Sequence, residues 1–395
     1  MDNVVSSLPE EFSLGNPPEE IPDLSNHENH MTEVLWANPD LYKKYRNKKT
    51  TSGVSFIQCI KTGIDHPSHP HIKTCGIVAG DEESYQMFAE LFDPIINRRH
   101  AECLPFTKHI SNLDYSQVND KNIDPSGKYV LTCRVRSGRS IRGYRLSPAI
   151  TFDERRLVEK TIVNSLSKLS GDLEGDYFPL NGSFSYISKP NGMSVEMETE
   201  LRLRGMLFQD TNSPLRSSSA IYKDWPDARG IYLNKNKNAF VWVNEEDHVR
   251  VISMEEGANM QGVFKRFVDL LNALETELGC EGKDFMYNDH LGYIATCPSN
   301  IGTGLRAGCL VKIPLFSSHN DFKEKLSQLG LQARGHRGVD TEFHLGIVDI
   351  SNANRLGHTE VELVNMVING ISQIIEWEKM LENGENIKRQ LNVAQ

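Results

Sequence analysis

Along residues 29–97 apolar side chains recur at helical spacing. Asp81 is placed to cap a helix whose apolar side carries Tyr85, Phe88, Leu91, Phe92 and Ile95. Residues 62–74, Thr-Gly-Ile-Asp-His-Pro-Ser-His-Pro-His-Ile-Lys-Thr, break the pattern and read as a Pro-rich loop. Residues 100–127 are polar and punctuated by Pro and Gly, which suits a linker. Beyond them the period shortens to two. Residues 128–136 predict a strand with Tyr129, Leu131, Cys133 and Val135 on one face and Val130, Thr132, Arg134 and Arg136 on the other. Thr151-x-x-Glu154 is a capping box for a helix that stops near Gly171. Residues 231–243 and 248–254 predict adjacent strands, with a hairpin turn at 234–238. A long helix follows, with Met260, Val263, Phe264, Phe267, Leu271 and Leu274 on one side. Further strands fit 292–297, 308–313 and 343–350, and Thr359-x-x-Glu362 opens a last helix ending at Gly384.

Strands and helices are mixed without regular βαβ alternation, so the pattern predicts an α+β fold. It divides the chain into an acidic, Pro-rich arm (1–25), a helical unit (26–112) and a larger α+β unit (113–395). The 395 residues suffice for two or three domains. With 38% apolar and 24% charged residues the chain is neither disordered nor collagenous. No apolar run reaches about 18 residues, which excludes a membrane-spanning helix. The net charge of −10 argues against nucleic-acid and anionic-lipid partners. Seven cysteines fit free thiols in a reducing compartment. No Lys or Arg precedes Lys43, the wrong composition for a mitochondrial presequence, so a cytoplasmic location is expected.

The candidate chemistry lies mainly in arginines. Arg134 and Arg136 share a strand face, Arg250 lies opposite an apolar face, Arg306 ends a Gly-rich turn, and Arg334 precedes Gly335. Strand arginines are costly unless paired with carboxylates or an anion. Two readings stand: surface salt bridges, or a convergent cradle for a polyphosphate, which guanidinium forks bind bidentately. Residues 244–248, Asn-Glu-Glu-Asp-His, are a solvated turn or a carboxylate group that holds a cationic nucleophile. Cys297 is an inert buried thiol or a thiolate favoured by the nearby Gly loop and Arg306. His66, His69 and His71 lie in the Pro-rich loop without matching carboxylates, and read as exposed loop, not metal ligands. The glycines at 302, 304 and 308 lead into a strand, not a helix, so they lack dinucleotide-fold context.

Cys297-Pro-Ser-Asn-Ile-Gly-Thr-Gly-Leu-Arg306 closely resembles the signature of the phosphagen (ATP:guanidino) kinase family. Four other stretches also resemble family segments: Val78-Ala-Gly-Asp-Glu-Glu-Ser-Tyr85, Cys133-Arg-Val-Arg-Ser-Gly-Arg-Ser140, Asp224-Trp-Pro-Asp-Ala-Arg-Gly230 and Val241-Trp-Val-Asn-Glu-Glu-Asp-His248. The likeness runs from about residue 20 to the C-terminus. It implies a small helical domain, a larger domain with an antiparallel sheet flanked by helices, and reversible Mg-dependent phosphoryl transfer between ATP and a guanidino compound. It assigns Arg134, Arg136, Arg250, Arg306 and Arg334 to the nucleotide phosphates, and Thr132 and Asp349 to further nucleotide contacts. Glu246 is implied as the carboxylate that holds the guanidinium, with Cys297 beside it. Mg2+ is expected to bridge phosphates and waters of ATP or ADP without a protein cage.

The 62–74 loop resembles the family's specificity loop, with Ile72 and Val339 as an apolar pair around a small substrate. Arginine kinases usually place Glu where Val339 stands. Residues 335–345 read Gly-His-Arg-Gly-Val-Asp-Thr-Glu-Phe-His-Leu, where creatine kinases carry Ala and Val at the positions of Phe343 and His344. That bulk removes room for a methyl group. The resemblance therefore points to glycocyamine (guanidinoacetate) as substrate, with creatine, then taurocyamine or lombricine, as alternatives. Creatine kinases usually carry His where Leu310 and Gly205 stand, which leaves a nucleotide-binding protein without catalysis as a remote alternative. The 224–230 segment resembles a dimer contact with Trp225 as its anchor, so a dimer of like subunits is expected.

Overall fold

The computed structural model describes residues 17–69, 72–100, 108–208, 214–335 and 346–387. Among the described residues its first unit holds five helices: α1 (His30–Ala37), α2 (Asp40–Tyr45), α3 (Phe56–Asp65), α4 (Ser84–Met87) and α5 (Ala89–His100). Asn29 caps α1 by accepting from Thr32 N, and Ser55 with Gln58 forms a capping box on α3. Asp81 does accept from Ser84 N at 2.8 Å, but the expected single helix is two. Phe88 leaves the helical region, at φ −111° and ψ 29°, and the break turns Phe88, Leu91, Phe92 and Ile95 all into the core. Pro18 O accepts from Tyr42 Oη at 2.9 Å, so the arm's described end lies against this unit.

The larger unit runs β1 (Val130–Arg139), α6 (Phe152–Leu166), β2 (Gly175–Pro179), α7 (Val195–Leu203), α8 (Pro214–Ser218), β3 (Gly230–Asn234), β4 (Ala239–Val243) and β5 (Val249–Glu256). It continues with α9 (Met260–Cys280), β6 (Tyr287–Asn288), β7 (Gly292–Tyr293), β8 (Leu305–Lys312), α10 (Pro314–Ser317), α11 (Phe322–Gln328), β9 (Leu331–Arg334), β10 (Ile347–Asn352) and α12 (Glu360–Glu382). Eight strands form an antiparallel sheet in the order β2-β3-β4-β5-β1-β8-β10-β9. The main core lies between one sheet face and helices α6, α9 and α12. On the other face Ile231, Leu233, Phe240, Trp242 and Ile252 pack under the chain around α7. The α+β class and the antiparallel sheet are therefore present as expected.

Several expected boundaries move. The register of β1 against β8 shifts between Val130 and Thr132, so Val130 joins Cys133 and Val135 in the core while Leu131 is only half-buried. The strand expected at 292–297 stops at Tyr293. Ile294 and Ala295 instead pack into the core of the helical unit, as do Leu146, Met286, Leu291, Ile301 and Leu356. The strand expected at 308–313 begins earlier, at Leu305, and that expected at 343–350 spans Ile347–Asn352. The helix from Phe152 ends at Leu166, and Gly171 opens a short 3-10 turn. Residues 108–127 pack on the larger unit: Glu360 accepts from Asn112 N at 2.8 Å, and Val118 and Ile123 enter its core.

His248 locks the start of β5. Ile141 N donates to its Nδ1 at 3.0 Å, so Nε2 carries the proton and donates to Arg145 O at 2.9 Å. Burial pushes His248 down to about 4, His109 to about 4 and His100 to about 3, from an ordinary 6.5. Over that window each is protonated only in the unfolded chain. Stability is therefore full above pH ~6.5 and falls as pH drops toward the folded values, by about 1.4 kcal/mol per unit per group. The urea midpoint should be lower at pH 5 than at pH 7; equal midpoints would mean that these histidines accept protons inside the fold.

Candidate active site

Strand alternation puts Thr132, Arg134 and Arg136 on one face of β1, away from the main core. Register then assembles the neighbours. Arg136 stands opposite Arg306 of β8, Gly138 opposite Arg250 of β5, and Thr132 opposite Leu310. Asp349 of β10 pairs with both Leu310 and Arg334. A narrow cleft opens there, lined by Arg136, Asp247, Arg250, Asn300, Arg306 and Arg355. Gly138 makes room at its edge: a methyl group there would lie 2.8 Å from Asp247 Oδ2.

The arginines divide by partner. Burial pulls Arg250 down, but Glu245 (3.0 Å), Glu246 (2.9 Å) and Asp247 (3.5 Å) reverse this and hold it above its ordinary range. Arg306 donates from Nη2 to Asp349 Oδ2 at 2.8 Å and from Nε to Ser351 Oγ at 2.9 Å. Arg134 is different. Its guanidinium lies 5.3 Å from the Trp242 ring centre, while Nε and Nη2 are buried without partners. Burial and then Arg306 push Arg134 down to about 10. Arg136 falls well below its ordinary value through burial, with Arg250 and Arg306 as its foremost charged neighbours. Arg334 is pushed down to about 9 by burial and Arg306, against a weaker pull from Asp349. Buried cations facing one another are stable only if an anion joins them.

The carboxylates meet the cleft from the turn before β5. Glu246 accepts from Arg250 on Oε2 and from Asn300 Nδ2 on Oε1 at 3.0 Å, so it stands between the arginines and the 297–300 turn. Asp247 accepts from Thr296 N at 2.9 Å, and burial raises its carboxyl to about 6. Cys297 Sγ lies 3.1 Å from Ser299 Oγ. A hydrogen bond from Cys75 draws the Cys297 thiol below its ordinary value against burial and the Glu246 charge, while Cys75 itself rises.

The structure thus brings Arg134, Arg136, Arg250, Arg306, Arg334, Asp349, Glu246 and Cys297 to one region, with Thr132 toward the far end of β1. Ile72 is exposed, just ahead of Cys75. Val339 and Phe343 lie outside the described residues, as do His71 and His344. Sequence reasoning missed Arg355, Asn300, Cys75 and the part played by Glu245 and Asp247. Asn300 stood inside the Cys297–Arg306 stretch and Asp247 beside Glu246, so adjacency was a usable signal. Arg355 had none: it lies in a loop after β10 and reaches the cleft by donating to Ser299 O.

A family model described as "ATP:guanido phosphotransferase, C-terminal catalytic domain" matches residues 157–381, and the corresponding N-terminal domain model matches residues 25–97. The chain is 49% identical over 372 residues to creatine kinase M-type of Rattus norvegicus, covering 94% of each chain. It is 48% identical over 367 residues to the flagellar creatine kinase of Strongylocentrotus purpuratus, covering 93% of this chain but only 30% of that longer protein. Among solved structures it is similar to a lombricine kinase, with TM-score 0.84, 40% identity and coverage of 94% and 98%. It is also similar to the duplicated taurocyamine kinase from Schistosoma mansoni with bound transition state analog components, with TM-score 0.80, 35% identity and coverage of 91% and 47%.

An Arg136→Met substitution removes a half-buried charge that makes no ion pair among the described residues. The free protein should gain about 1–3 kcal/mol in denaturant unfolding. Its thermal stabilisation by tripolyphosphate should shrink at the same time. An undiminished response to tripolyphosphate would remove Arg136 from the anion site.

Proposed function

This chain belongs to the ATP:guanido phosphotransferase family, and from that premise we propose that it transfers the γ-phosphoryl group of MgATP reversibly to a small guanidino acid, forming a phosphagen and ADP. One observation carries the reading. Arg136, whose foremost charged neighbours are other arginines, lines the cleft together with Arg250 and Asn300, the two residues bonded to the Glu246 carboxylate.

The chemistry follows from charge. Phosphoryl transfer demands in-line positioning and dispersed positive charge more than covalent catalysis. Arg134, Arg136, Arg306 and Arg334 would receive the triphosphate, whose oxygens supply the partners that Arg134 and Arg136 lack. Arg250, already balanced by carboxylates, would link the phosphate site to Glu246. A guanidino substrate would displace Asn300 from one Glu246 oxygen. Glu246 then orients the attacking nitrogen and takes its proton as the N–P bond forms and the bond to ADP breaks. The Cys297 thiolate would lie beside the substrate cation and hold it by charge. Among the described residues no group of three or more His, Cys, Asp or Glu is placed to hold a metal ion. Magnesium would enter as part of MgATP, held mainly by the phosphates and water.

Within the family, we take glycocyamine as the substrate on the bulk of Phe343 and His344 and the apolar pair Ile72 and Val339. The 49% identity with creatine kinase M-type favours creatine as the second reading. The two differ by one methyl group, worth about 1–3 kcal/mol in an apolar pocket, so overlapping activity is expected. We further propose a dimer of like subunits. Trp225 is half-buried, its ring 4.6 Å from Tyr222 and 5.8 Å from Phe208, which leaves part of a rigid aromatic surface for a partner.

ADP release from MgATP with glycocyamine, creatine, taurocyamine, lombricine and arginine in parallel tests the reading. Glycocyamine should lead; equal or better turnover of creatine would discard the steric account of Phe343, and silence across the panel would discard the activity. In the same assay Glu246→Gln should lose about 10²–10⁴-fold in kcat. Sedimentation at micromolar concentration should give twice the chain mass, and a monomer there would sink the dimer.

A further inference from the structure

The segment that bears Cys297 is held from both units. Its carbonyls from 295 to 299 are all engaged. Ala295 O accepts from Tyr85 Oη at 2.7 Å, Thr296 O from Ala79 N at 2.8 Å, and Cys297 O from Asn300 N at 2.9 Å. Pro298 O accepts from His100 Nε2 at 2.9 Å, and Ser299 O from Arg355. Tyr85, Ala79 and His100 all belong to the helical unit. On the opposite side Thr296 N reaches Asp247 Oδ1 at 2.9 Å, Thr296 Oγ1 reaches Glu246 O at 3.0 Å, and Asn300 reaches the Glu246 carboxylate. The segment is thus a bridge with one rail on the helices and the other on the catalytic carboxylates.

We propose that Tyr85 and His100 are positioning residues for the reaction: their side-chain donors grip the carbonyls of 295 and 298, on either side of Cys297, and so set its thiol beside Glu246. This rests on the activity proposed above.

Both donors are specialised for that grip. Tyr85 and His100 are nearly fully buried. The Tyr85 ring packs edge-on to Phe92 at 4.9 Å, a contact that phenylalanine would make equally well. What the hydroxyl adds is the bond to Ala295 O, between units. A carbonyl only accepts, so His100 must carry its proton on Nε2, while buried Nδ1 has no partner. Burial keeps His100 neutral down to about pH 3, so this single donor persists across the working range. Losing either donor leaves a buried carbonyl unpaired, and the chain must shift to find water or another donor. Cys297 lies between the grips, so the group that moves is the thiol.

The test uses the full-length protein with Tyr85→Phe, His100→Phe and His100→Gln, the last keeping an N–H donor near the Nε2 position. Three quantities are read: kcat, equilibrium affinity for ADP, and the rate of iodoacetamide alkylation at Cys297 without substrates, resolved from exposed Cys280 by peptide mass. Tyr85→Phe and His100→Phe should each lose about ten-fold in kcat, the scale of one hydrogen bond. Alkylation of Cys297 should change about three-fold or more, ADP affinity should stay within about two-fold, and His100→Gln should recover most of the loss. Parental kcat and alkylation in folded Tyr85→Phe and His100→Phe would overturn the proposal. So would a fall in ADP affinity matching that in kcat, or a Gln variant as impaired as Phe. Should His100→Phe not fold, Tyr85→Phe, which removes one oxygen, decides. A parent protein that phosphorylates no guanidino compound would sink the proposed activity, while the alkylation arm would still decide whether these donors place Cys297.

Discussion

Everything about this site depends on burying several guanidinium groups on one face of a sheet. Each such charge is expensive out of water unless something negative meets it. The fold meets the cost unevenly. Arg250 receives Glu245, Glu246 and Asp247, and Arg306 receives Asp349. Arg134 keeps two buried nitrogens without partners, and Arg136 is acted on chiefly by other arginines. The unequal pairing divides the site into a carboxylate-balanced half and a cation-rich half, which the proposed function assigns to the guanidino substrate and to the triphosphate.

Antiparallel register is what brings these charges together. Arg136 and Arg306 are far apart in sequence yet stand opposite each other on β1 and β8, and Arg250 enters one strand away. The face behind them is sealed by α6, α9 and α12, so the arginines are mounted on a packed core rather than on loops. Mounting them on strands limits their freedom and keeps their mutual repulsion in place until a ligand arrives.

The seam between the two units is equally consequential. Ile294, Ala295 and Ile301 pack into the core of the helical unit although they follow it by some two hundred residues. Those contacts explain why the expected strand ends at Tyr293: the following residues spend their apolar side chains on the helices and their carbonyls on Tyr85, Ala79 and His100. A segment shared by two units couples the placement of Cys297 to their relative position.

Much was legible in the chain itself. Capping boxes at Thr151 and Thr359 and the apolar stripe of α9 are local signals, each readable within a few turns, and the structure carries them. The arginines stood out because strand alternation placed charge where a sheet face should be apolar. What alternation could not supply was register. The shift at Val130 reversed which side chain enters the core, and no local pattern encodes a bulge that depends on the partner strand. Arg355 and Cys75 act through groups distant in sequence, so only packing reveals them. By itself the sequence determined the elements, the kinds of charge and the family likeness, because these depend on residue type and short-range spacing. Only the tertiary structure decided which arginines find carboxylates and which do not, because that depends on distances that long-range strand pairing and the seam between the units set.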